Sequence, residues 1–312
     1  MVAGLKRAAA VDIGTNSVLL LVAERGADGR LSPVREEAEI TRLGRGVDRT
    51  GMLSTEGMEA TLSVLARFAA QAREAGAQRL VVTATSAARD AGNGEEFLGA
   101  ARDRAGAEVE ILSGDEEARL GYLAVASEFA DRAGPAGLLT IDVGGGSTEL
   151  VHGGGTAVRF RTSLDIGSVR LTERCIQGDP PSVAEQQAVR RAVEDALANL
   201  PAFPEAVAVV GVAGTVTSIF AIAEGIEPYD AARVHGGWLD LTQVALVRGR
   251  LCSVPLAERR RLPGIQPPRA DVLPAGAILF EAALHHLGAR GAWVSDRGLR
   301  WGVLIDRWEG LL

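Results

Sequence analysis

Two short segments decide the fold: VDIGTNS at 11–17 and, 130 residues later, IDVGGGS at 141–147. In each copy an apolar run ends in an aspartate, a turn with glycine and serine follows, and a second apolar run begins, at 18–22 and 149–151. The two copies align when the sequence is slid against itself, so we interpret them as an internal repeat. Each copy predicts a β-hairpin with a polar tip.

These tips, residues 14–17 (tip 1) and 144–148 (tip 2), are suited to phosphate. Backbone N–H groups beside glycine approach anionic oxygens closely, and hydroxyl and amide side chains add donors. A single such turn is fully explained by Asx-turn geometry, but its duplication favours function. Both tips lead into a strand and lack Gly-Lys-Ser/Thr, unlike dinucleotide fingerprints and P-loops. The predicted phosphate-binding residues of the tips are Gly14, Thr15, Asn16, Ser17, Gly144, Gly145, Gly146, Ser147 and Thr148.

Strands and helices alternate through the rest of the chain. A helix is expected to begin after Ser54 as N-cap and to end near Gly76. The alternation predicts an α/β fold with helix-covered sheets. Apolar runs predict strands at 8–13, 80–83, 138–143 and 207–212, with shorter ones at 108–112 and 292–295, and further helices are expected at 115–132, 182–199, 214–224, 242–250 and 270–287.

Bulk properties restrict the class of protein. A chain of 312 residues favours two domains, and 47% hydrophobic residues are enough for substantial cores. A net charge of −7 argues against general nucleic-acid binding, so a polyanionic ligand needs a local basic patch. No apolar run approaches the roughly 20 residues of a membrane span, and no signal peptide is evident, so we expect a cytoplasmic protein without a membrane partner. Cys175 and Cys252 show no metal or disulfide spacing and are expected to be reduced thiols.

Nine motifs together resemble the exopolyphosphatase/guanosine pentaphosphatase (Ppx/GppA) family of the actin, sugar-kinase and heat-shock ATPase superfamily. The resemblance extends over nearly the whole chain. As a combination the motifs are highly specific. They are AVDIGTNS at 10–17, TSAAR at 85–89, SGDEEARLGYL at 113–123, IDVGGGSTEL at 141–150, SLDIGSVRLTERC at 163–175, GVAGTVTS at 211–218, YDAARVHG at 229–236, LPGIQPPRADVLPAGA at 262–277 and SDRGLRWGVL at 295–304.

The resemblance implies two actin-like (ribonuclease H-like) domains with mixed sheets flanked by helices, and an active site in the interdomain cleft. Domain I is expected at 1–125, completed by a C-terminal helix at 299–312, with tip 1 and the catalytic glutamate. Domain II is expected at 126–298, with tip 2 and the metal site. The chain resembles short family members that lack the additional C-terminal helical domains.

The family's catalytic glutamate matches Glu117. Ser113 and Glu116 have the spacing of a capping box, which explains Glu116 structurally, whereas Glu117 has no such explanation. The resemblance implies that Glu117 orients and polarises an attacking water as general base. An exposed position at a helix start is the alternative.

Three carboxylates are expected to serve Mg²⁺ or another divalent cation. Asp142 and Glu149 match the family's metal and phosphate-site carboxylates, and a hairpin closing across tip 2 brings both to one side. The first copy has Leu19 where the second has Glu149, so the repeat is chemically asymmetric. Asp12 is expected to contribute through water, with an Asx turn as the alternative.

Arginines are the expected basic ligands. Arg89 is predicted to clamp phosphate oxygens with its planar guanidinium, the alternative being an ion pair with Asp90 or Glu95. The run at 259–261, with Arg269, is a candidate track for a polyphosphate tail, although a solvated helix face explains each residue equally well.

Three functions follow from the resemblance. The first is an exopolyphosphatase that releases terminal orthophosphate from inorganic polyphosphate by Mg²⁺-dependent attack of water. The second is hydrolysis of the 5′-γ-phosphate of guanosine pentaphosphate (pppGpp), with the same catalytic residues. The third, a non-catalytic sensor of polyphosphate or nucleotides, is disfavoured because the carboxylates are present. A homodimer is the expected assembly, since twofold pairs are the commonest oligomers.

Overall fold

The computed structural model describes residues 6–311, which form two compact units. Unit 1 comprises the described residues up to Ala124 and those from Leu299 onward, and unit 2 is Val125–Gly298. The chain therefore leaves unit 1 within a helix and returns to it directly before the last helix. Between residues 6 and 311 no helix combines the length and the apolar character needed to cross a membrane.

Unit 1 contains a five-stranded mixed sheet of order β3-β2-β1-β4-β5. The first three strands form an antiparallel meander, and β4 and β5 extend it in parallel with β1. The strands are β1 Arg7–Ile13, β2 Ser17–Arg25, β3 Leu31–Ile40, β4 Arg79–Ala84 and β5 Val109–Ile111. The helices are α1 Val47–Thr50, α2 Thr55–Glu74, α3 Ser86–Asp90, α4 Gly94–Ala105, the first part of α5 Gly114–Glu128, and the last helix of the chain, α13 Leu299–Leu311.

Unit 2 contains a six-stranded mixed sheet of order β10-β11-β9-β6-β7-β8. Its strands are β6 Leu138–Val143, β7 Thr148–Gly154, β8 Ala157–Leu164, β9 Ala208–Val212, β10 Trp238–Asp240 and β11 Gly291–Val294. Its helices are α6 Ser168–Cys175, α7 Val183–Leu197, α8 Ala213–Glu224, α9 Ala231–Val234, α10 Leu241–Ser253, α11 Leu256–Arg259 and α12 Leu273–His286, with 3₁₀ turns at Ala130–Arg132 and Pro267–Arg269.

The internal repeat extends from sequence to topology. In unit 2 the meander β6-β7-β8 and the parallel neighbour β9 repeat β1-β2-β3 and β4 of unit 1. The predicted α/β class is confirmed, since the structure contains two mixed sheets flanked by helices. The repeated meander places each tip between its first and second strands.

Strand β1 shows why the central strands read as continuous apolar runs. Ala9 and Val11 pack into the core formed with α2 and α4, whereas Ala8 and Ala10 pack on the opposite face with Trp301 of α13. Successive side chains of a strand point to opposite faces, so a sheet covered on both sides buries every position.

Helix α2 forms as predicted. Ser54 caps it, its Oγ accepting the Gly57 N–H at 3.1 Å, and Gly76 follows its end with a φ of 81°. Strands β3 and β8 were not expected. Both lie beyond the second strand of their meander and are largely exposed or half-buried, so neither carries a strong apolar pattern.

Candidate functional site

The two tips share one local geometry. The Gly14 N–H donates to the Ser17 carbonyl at 2.9 Å, and the Gly144 N–H donates to the Ser147 carbonyl at 3.1 Å. A Cβ at Gly14 or Gly144 would lie 3.2 or 3.0 Å from the same carbonyl oxygen, so the turn favours glycine at both positions. The two copies of the repeat therefore share a turn geometry as well as a sequence pattern.

In unit 1, the segment after β3 binds the carbonyl groups of tip 1. We call residues 41–44 latch 1. The N–H groups of Thr41 and Arg42 donate to the Asn16 carbonyl at 3.1 and 3.0 Å. The Gly44 N–H donates to the Thr15 carbonyl at 2.8 Å. Latch 1 thus holds tip 1 through hydrogen bonds to the tip's backbone carbonyl groups.

In unit 2, the segment after β8 does the same for tip 2. We call residues 167–170 latch 2. Ser168 donates its N–H to the Gly144 carbonyl at 2.9 Å, and Arg170 donates its N–H to the Gly145 carbonyl at 3.2 Å. The Arg170 Nε also donates to the Gly146 carbonyl at 2.8 Å. All three glycine carbonyls of tip 2 are therefore bound by latch 2.

Both latches leave amide donors for a ligand. Within residues 6–311, the N–H groups of Thr15, Asn16, Gly145 and Gly146 donate to no protein acceptor. Because the carbonyls are bound by the latches, each tip is held in place while these N–H groups stay available. A backbone arrangement of this kind suits an anion such as a phosphate oxygen.

Thr148 differs from the other predicted phosphate ligands. It is 1% exposed, and its hydroxyl donates to the Ile166 carbonyl at 2.6 Å. The hydroxyl proton is thus used within unit 2, where it joins the start of β7 to the segment before latch 2. Its side chain anchors the tip.

Asp142 and Glu149 form a cross-strand carboxylate pair. They are directly opposite across β6 and β7, so both side chains are on one face of the sheet. Glu149 is 3% exposed and accepts a hydrogen bond from Ser163 Oγ at 2.6 Å. In unit 1 the position opposite Asp12 is Leu19. The predicted asymmetry of the repeat is therefore present in the strand register.

This pair fits a hydrated magnesium ion. Mg²⁺ prefers oxygen ligands, keeps several waters, and is commonly bound through one or two carboxylates and substrate phosphates. Among the described residues there is no group of three or more His, Cys, Asp or Glu side chains arranged to hold a metal. A two-carboxylate site with water and phosphate as remaining ligands agrees with both facts. Asp12 is in unit 1, where it is 9% exposed at the end of β1.

Glu117 and Arg89 come together in unit 1. Arg89, on α3, donates to the Leu112 carbonyl at 2.9 Å and to Glu117 Oε2 at 3.4 Å. It also forms the ion pair with Asp90 that was the alternative for this residue, at 3.6 Å. Both partners stay accessible, since the Glu117 and Arg89 side chains are 15% and 25% exposed. A carboxylate and a guanidinium with this access are suited to a water and a phosphate group.

The neighbouring Glu116 has a different environment. Ser113 Oγ accepts the Glu116 N–H at 3.2 Å, so half of the predicted capping box forms. The Glu116 carboxylate, however, accepts two hydrogen bonds from Arg119, at 2.9 and 2.7 Å. The hydrogen bond from Arg119 lowers the pKa of Glu116 below its usual value. Adjacent glutamates on one helix thus have separate partners.

The predicted polyphosphate track in unit 2 is wrong for Arg259. This side chain is 3% exposed and donates to the carbonyls of Leu251, Val254 and Ala270 at 2.8, 2.9 and 3.1 Å. Burial lowers the pKa of its guanidinium. Arg259 therefore stabilises the loops around α11, and only Arg260 and Arg261 of the run are on the surface.

The latches were not predicted as functional segments. Latch 2 lies within a motif that carried the family resemblance, but the residues alone did not reveal its contacts. The glycines Gly44 and Gly167 were the sequence feature that could have revealed these contacts. A Cβ at Gly44 would lie 2.3 Å from Thr15 Cγ2, and a Cβ at Gly167 would lie 2.4 Å from the Gly145 carbonyl oxygen. Glycines just after a strand indicate such close approaches.

The chain is similar to known proteins in both sequence and fold. The sequence matches the Ppx/GppA phosphatase family over residues 21–310. It is 39% identical to Exopolyphosphatase 2 of Mycobacterium tuberculosis, over 97% of this chain and 98% of that protein. The fold is similar to that of the Ppx/GppA family member from Aquifex aeolicus, with a TM-score of 0.81, 36% identity and 98% of each chain covered. It is also similar to an exopolyphosphatase-like protein, with a TM-score of 0.90, 33% identity, and 98% and 100% of the chains covered.

Proposed function

The chain belongs to the Ppx/GppA phosphatase family and is a phosphoanhydride hydrolase, and we propose that it releases terminal orthophosphate from inorganic polyphosphate with the help of Mg²⁺. The observation that carries this proposal is the pair of latched tips with available N–H groups. The available N–H groups of each tip suit the oxygens of a phosphate group. The name of the relative with 39% identity favours polyphosphate over a nucleotide.

Glu117 is the proposed general base. Its carboxylate accepts a proton from water and aligns that water for in-line attack on the terminal phosphorus. Phosphoryl transfer has a loose transition state with charge on the non-bridging oxygens, so positioned donors contribute most of the rate enhancement. In this chain the proposed donors are the tip N–H groups and Arg89. The hydrogen bond from Arg89 to Glu117 keeps the phosphate-binding guanidinium next to the general base.

Asp142 and Glu149 are the proposed direct metal ligands, and Asp12 is proposed to act through water. The hydrogen bond from Ser163 Oγ fixes the orientation of the Glu149 carboxylate beside Asp142. A bound Mg²⁺ supplies charge neutralisation of the phosphate oxygens.

The proposal is tested by measuring phosphate release from tripolyphosphate, long-chain polyphosphate, pppGpp and ATP side by side, with Mg²⁺ and with EDTA. We expect polyphosphate to have the highest kcat/KM and EDTA to abolish release. A higher kcat/KM for pppGpp would transfer the assignment to the nucleotide. Binding of these ligands without release from any of them would favour a sensor.

The role of Glu117 is tested by Glu117→Gln, with Glu116→Gln as the matched control one residue away. Loss of the general base is expected to lower kcat by about 10²–10⁴ while KM changes little. Glu116→Gln removes only the carboxylate bound to Arg119, so its kcat should stay near wild type. Near wild-type phosphate release by Glu117→Gln would exclude it as the base.

A further inference from the structure

A basic segment adjoins tip 1. Residues 42–49, RLGRGVDR, contain three arginines and one aspartate. Their local excess of positive charge contrasts with the net charge of −7 of the whole chain. The segment begins within latch 1 and continues into α1.

The backbone of this segment is fixed against tip 1. Gly44 binds the Thr15 carbonyl, and its Cα approaches so closely that a Cβ would lie 3.1 Å from Ala87 Cβ on α3. The Val47 N–H donates to the Gly44 carbonyl at 3.2 Å, and the Val47 side chain is 7% exposed. Latch 1, α1 and the helix that carries Arg89 are therefore neighbours within unit 1.

Two arginines of the segment are candidates for binding a ligand. Arg45, next to Gly44, and Arg49, in α1, are both exposed. Neither forms an ion pair or a side-chain hydrogen bond with any residue in the part of the chain that the structure describes. By contrast, Arg67 and Arg300 of the same unit pair with Glu39 and Glu36. Arg45 and Arg49 thus keep their full binding capacity beside a phosphate-binding tip.

We propose that Arg45 and Arg49 form a subsite for the phosphate groups beyond the first three of a polyphosphate chain whose terminal group is held by tip 1 and Arg89. Arginine binds phosphate oxygens bidentately, and closely placed cations raise the local concentration of a polyanion. This inference rests on the proposed function, since it assumes a polyphosphate substrate with more than three phosphate groups. It replaces the track through Arg259, whose guanidinium is used by backbone carbonyls.

The test compares the double variant Arg45→Gln/Arg49→Gln with wild type on long-chain polyphosphate and on tripolyphosphate. We expect KM for the long chain to rise about fivefold, from two exposed charge contacts, with kcat retained. KM for tripolyphosphate should not change, because this substrate ends before the subsite. The slope of log KM against log salt should fall by about one to two for the long chain, since two phosphate contacts are lost.

The matched control is Arg260→Gln/Arg261→Gln, which removes the same charge from two exposed arginines of unit 2. It should leave the ratio of the two KM values unchanged. An equal rise of KM on both substrates, or the same length-dependent rise in the control, overturns the subsite. Arg45→Lys/Arg49→Lys, which keeps the charge, should recover most of the affinity.

Binding separates this inference from the proposed function. Calorimetry with long-chain polyphosphate in EDTA measures affinity without turnover, for wild type and for both double variants. Absence of hydrolysis by wild type would refute the proposed function. The subsite would be supported independently if Arg45→Gln/Arg49→Gln bound long-chain polyphosphate more weakly than both wild type and the control variant. Equal binding by all three proteins would refute the subsite.

Discussion

Tip 1 and tip 2 have the same backbone plan but different chemistry. Each follows an aspartate at a strand end, and each has its carbonyls bound by the segment after the third strand. The residue opposite the aspartate is Leu19 in unit 1 and Glu149 in unit 2. The proposed phosphate binding thus depends on backbone geometry in both copies, and one side chain adds a proposed metal ligand to the second.

The latches differ in a related way. Latch 1 binds tip 1 through backbone N–H groups, whereas latch 2 adds Arg170 Nε and Ser168 Oγ, which donate to the Gly146 and Gly144 carbonyls at 2.8 and 3.2 Å. Three consecutive glycines have more conformational freedom than Gly-Thr-Asn, so ordering them has a greater entropic cost. The additional donors offset that cost.

The largest expected effect concerns the difference between Leu19 and Glu149. Glu149→Gln keeps the shape but removes the charge, and we expect kcat to fall about 10³-fold, with a higher Mg²⁺ requirement. Ser163→Ala, which removes only the hydrogen bond to Glu149, should cost about tenfold in Mg²⁺ affinity. The measurement is a Mg²⁺ titration of phosphate release. An unchanged Mg²⁺ requirement in Glu149→Gln would show that the two tips do not differ as proposed.

The next effect concerns the close approach of each latch. Gly167→Ala places a Cβ 2.4 Å from the Gly145 carbonyl oxygen, which belongs to the tip backbone, so tip 2 must move. A displacement of about 1 Å is expected to lower kcat/KM about 10²-fold. Gly44→Ala meets the Thr15 methyl instead, a side-chain group, and should cost less.

The control for the glycine variants is Gly249→Ala, whose Cβ meets nothing within 4 Å on helix α10. It should retain activity and raise the free energy of unfolding by about 0.5–1 kcal/mol. Kinetics and thermal denaturation of the three variants check these expectations. A Gly44→Ala variant more impaired than Gly167→Ala would reverse the proposed order.

The smallest effect concerns Arg170, one of the two residues of latch 2 whose side chains bind tip 2. Arg170→Ala removes the hydrogen bond to the Gly146 carbonyl and is expected to raise KM about tenfold, because one charged hydrogen bond contributes roughly 1.5–3 kcal/mol. Added guanidinium should restore part of the affinity, which general loss of stability would not allow. Steady-state kinetics with and without guanidinium test this role of Arg170. If guanidinium does not restore affinity, Arg170 has only a structural role.

The sequence pattern was sufficient to predict features that depend on interactions within one short segment. The duplicated motif predicted both hairpins, since the apolar runs and glycine turns are local features. Ser54 and Gly76 predicted the ends of α2, since a cap acts within one turn. The edge strands β3 and β8 escaped prediction, because exposed strands need no apolar alternation.

By itself, the sequence determined the α/β class, the repeat, the family, and the candidate carboxylates Glu117, Asp142 and Glu149. Only the tertiary structure decided which polar groups are available. Arg259 lies in the densest basic run yet is buried against carbonyls, whereas Arg45 and Arg49 are exposed in the segment that follows latch 1. The physical reason is that a side chain's charge is a property of the residue, but its partners come from segments distant in sequence. Hydrogen bonds between a tip and a latch more than 20 residues away appear only once the chain has folded.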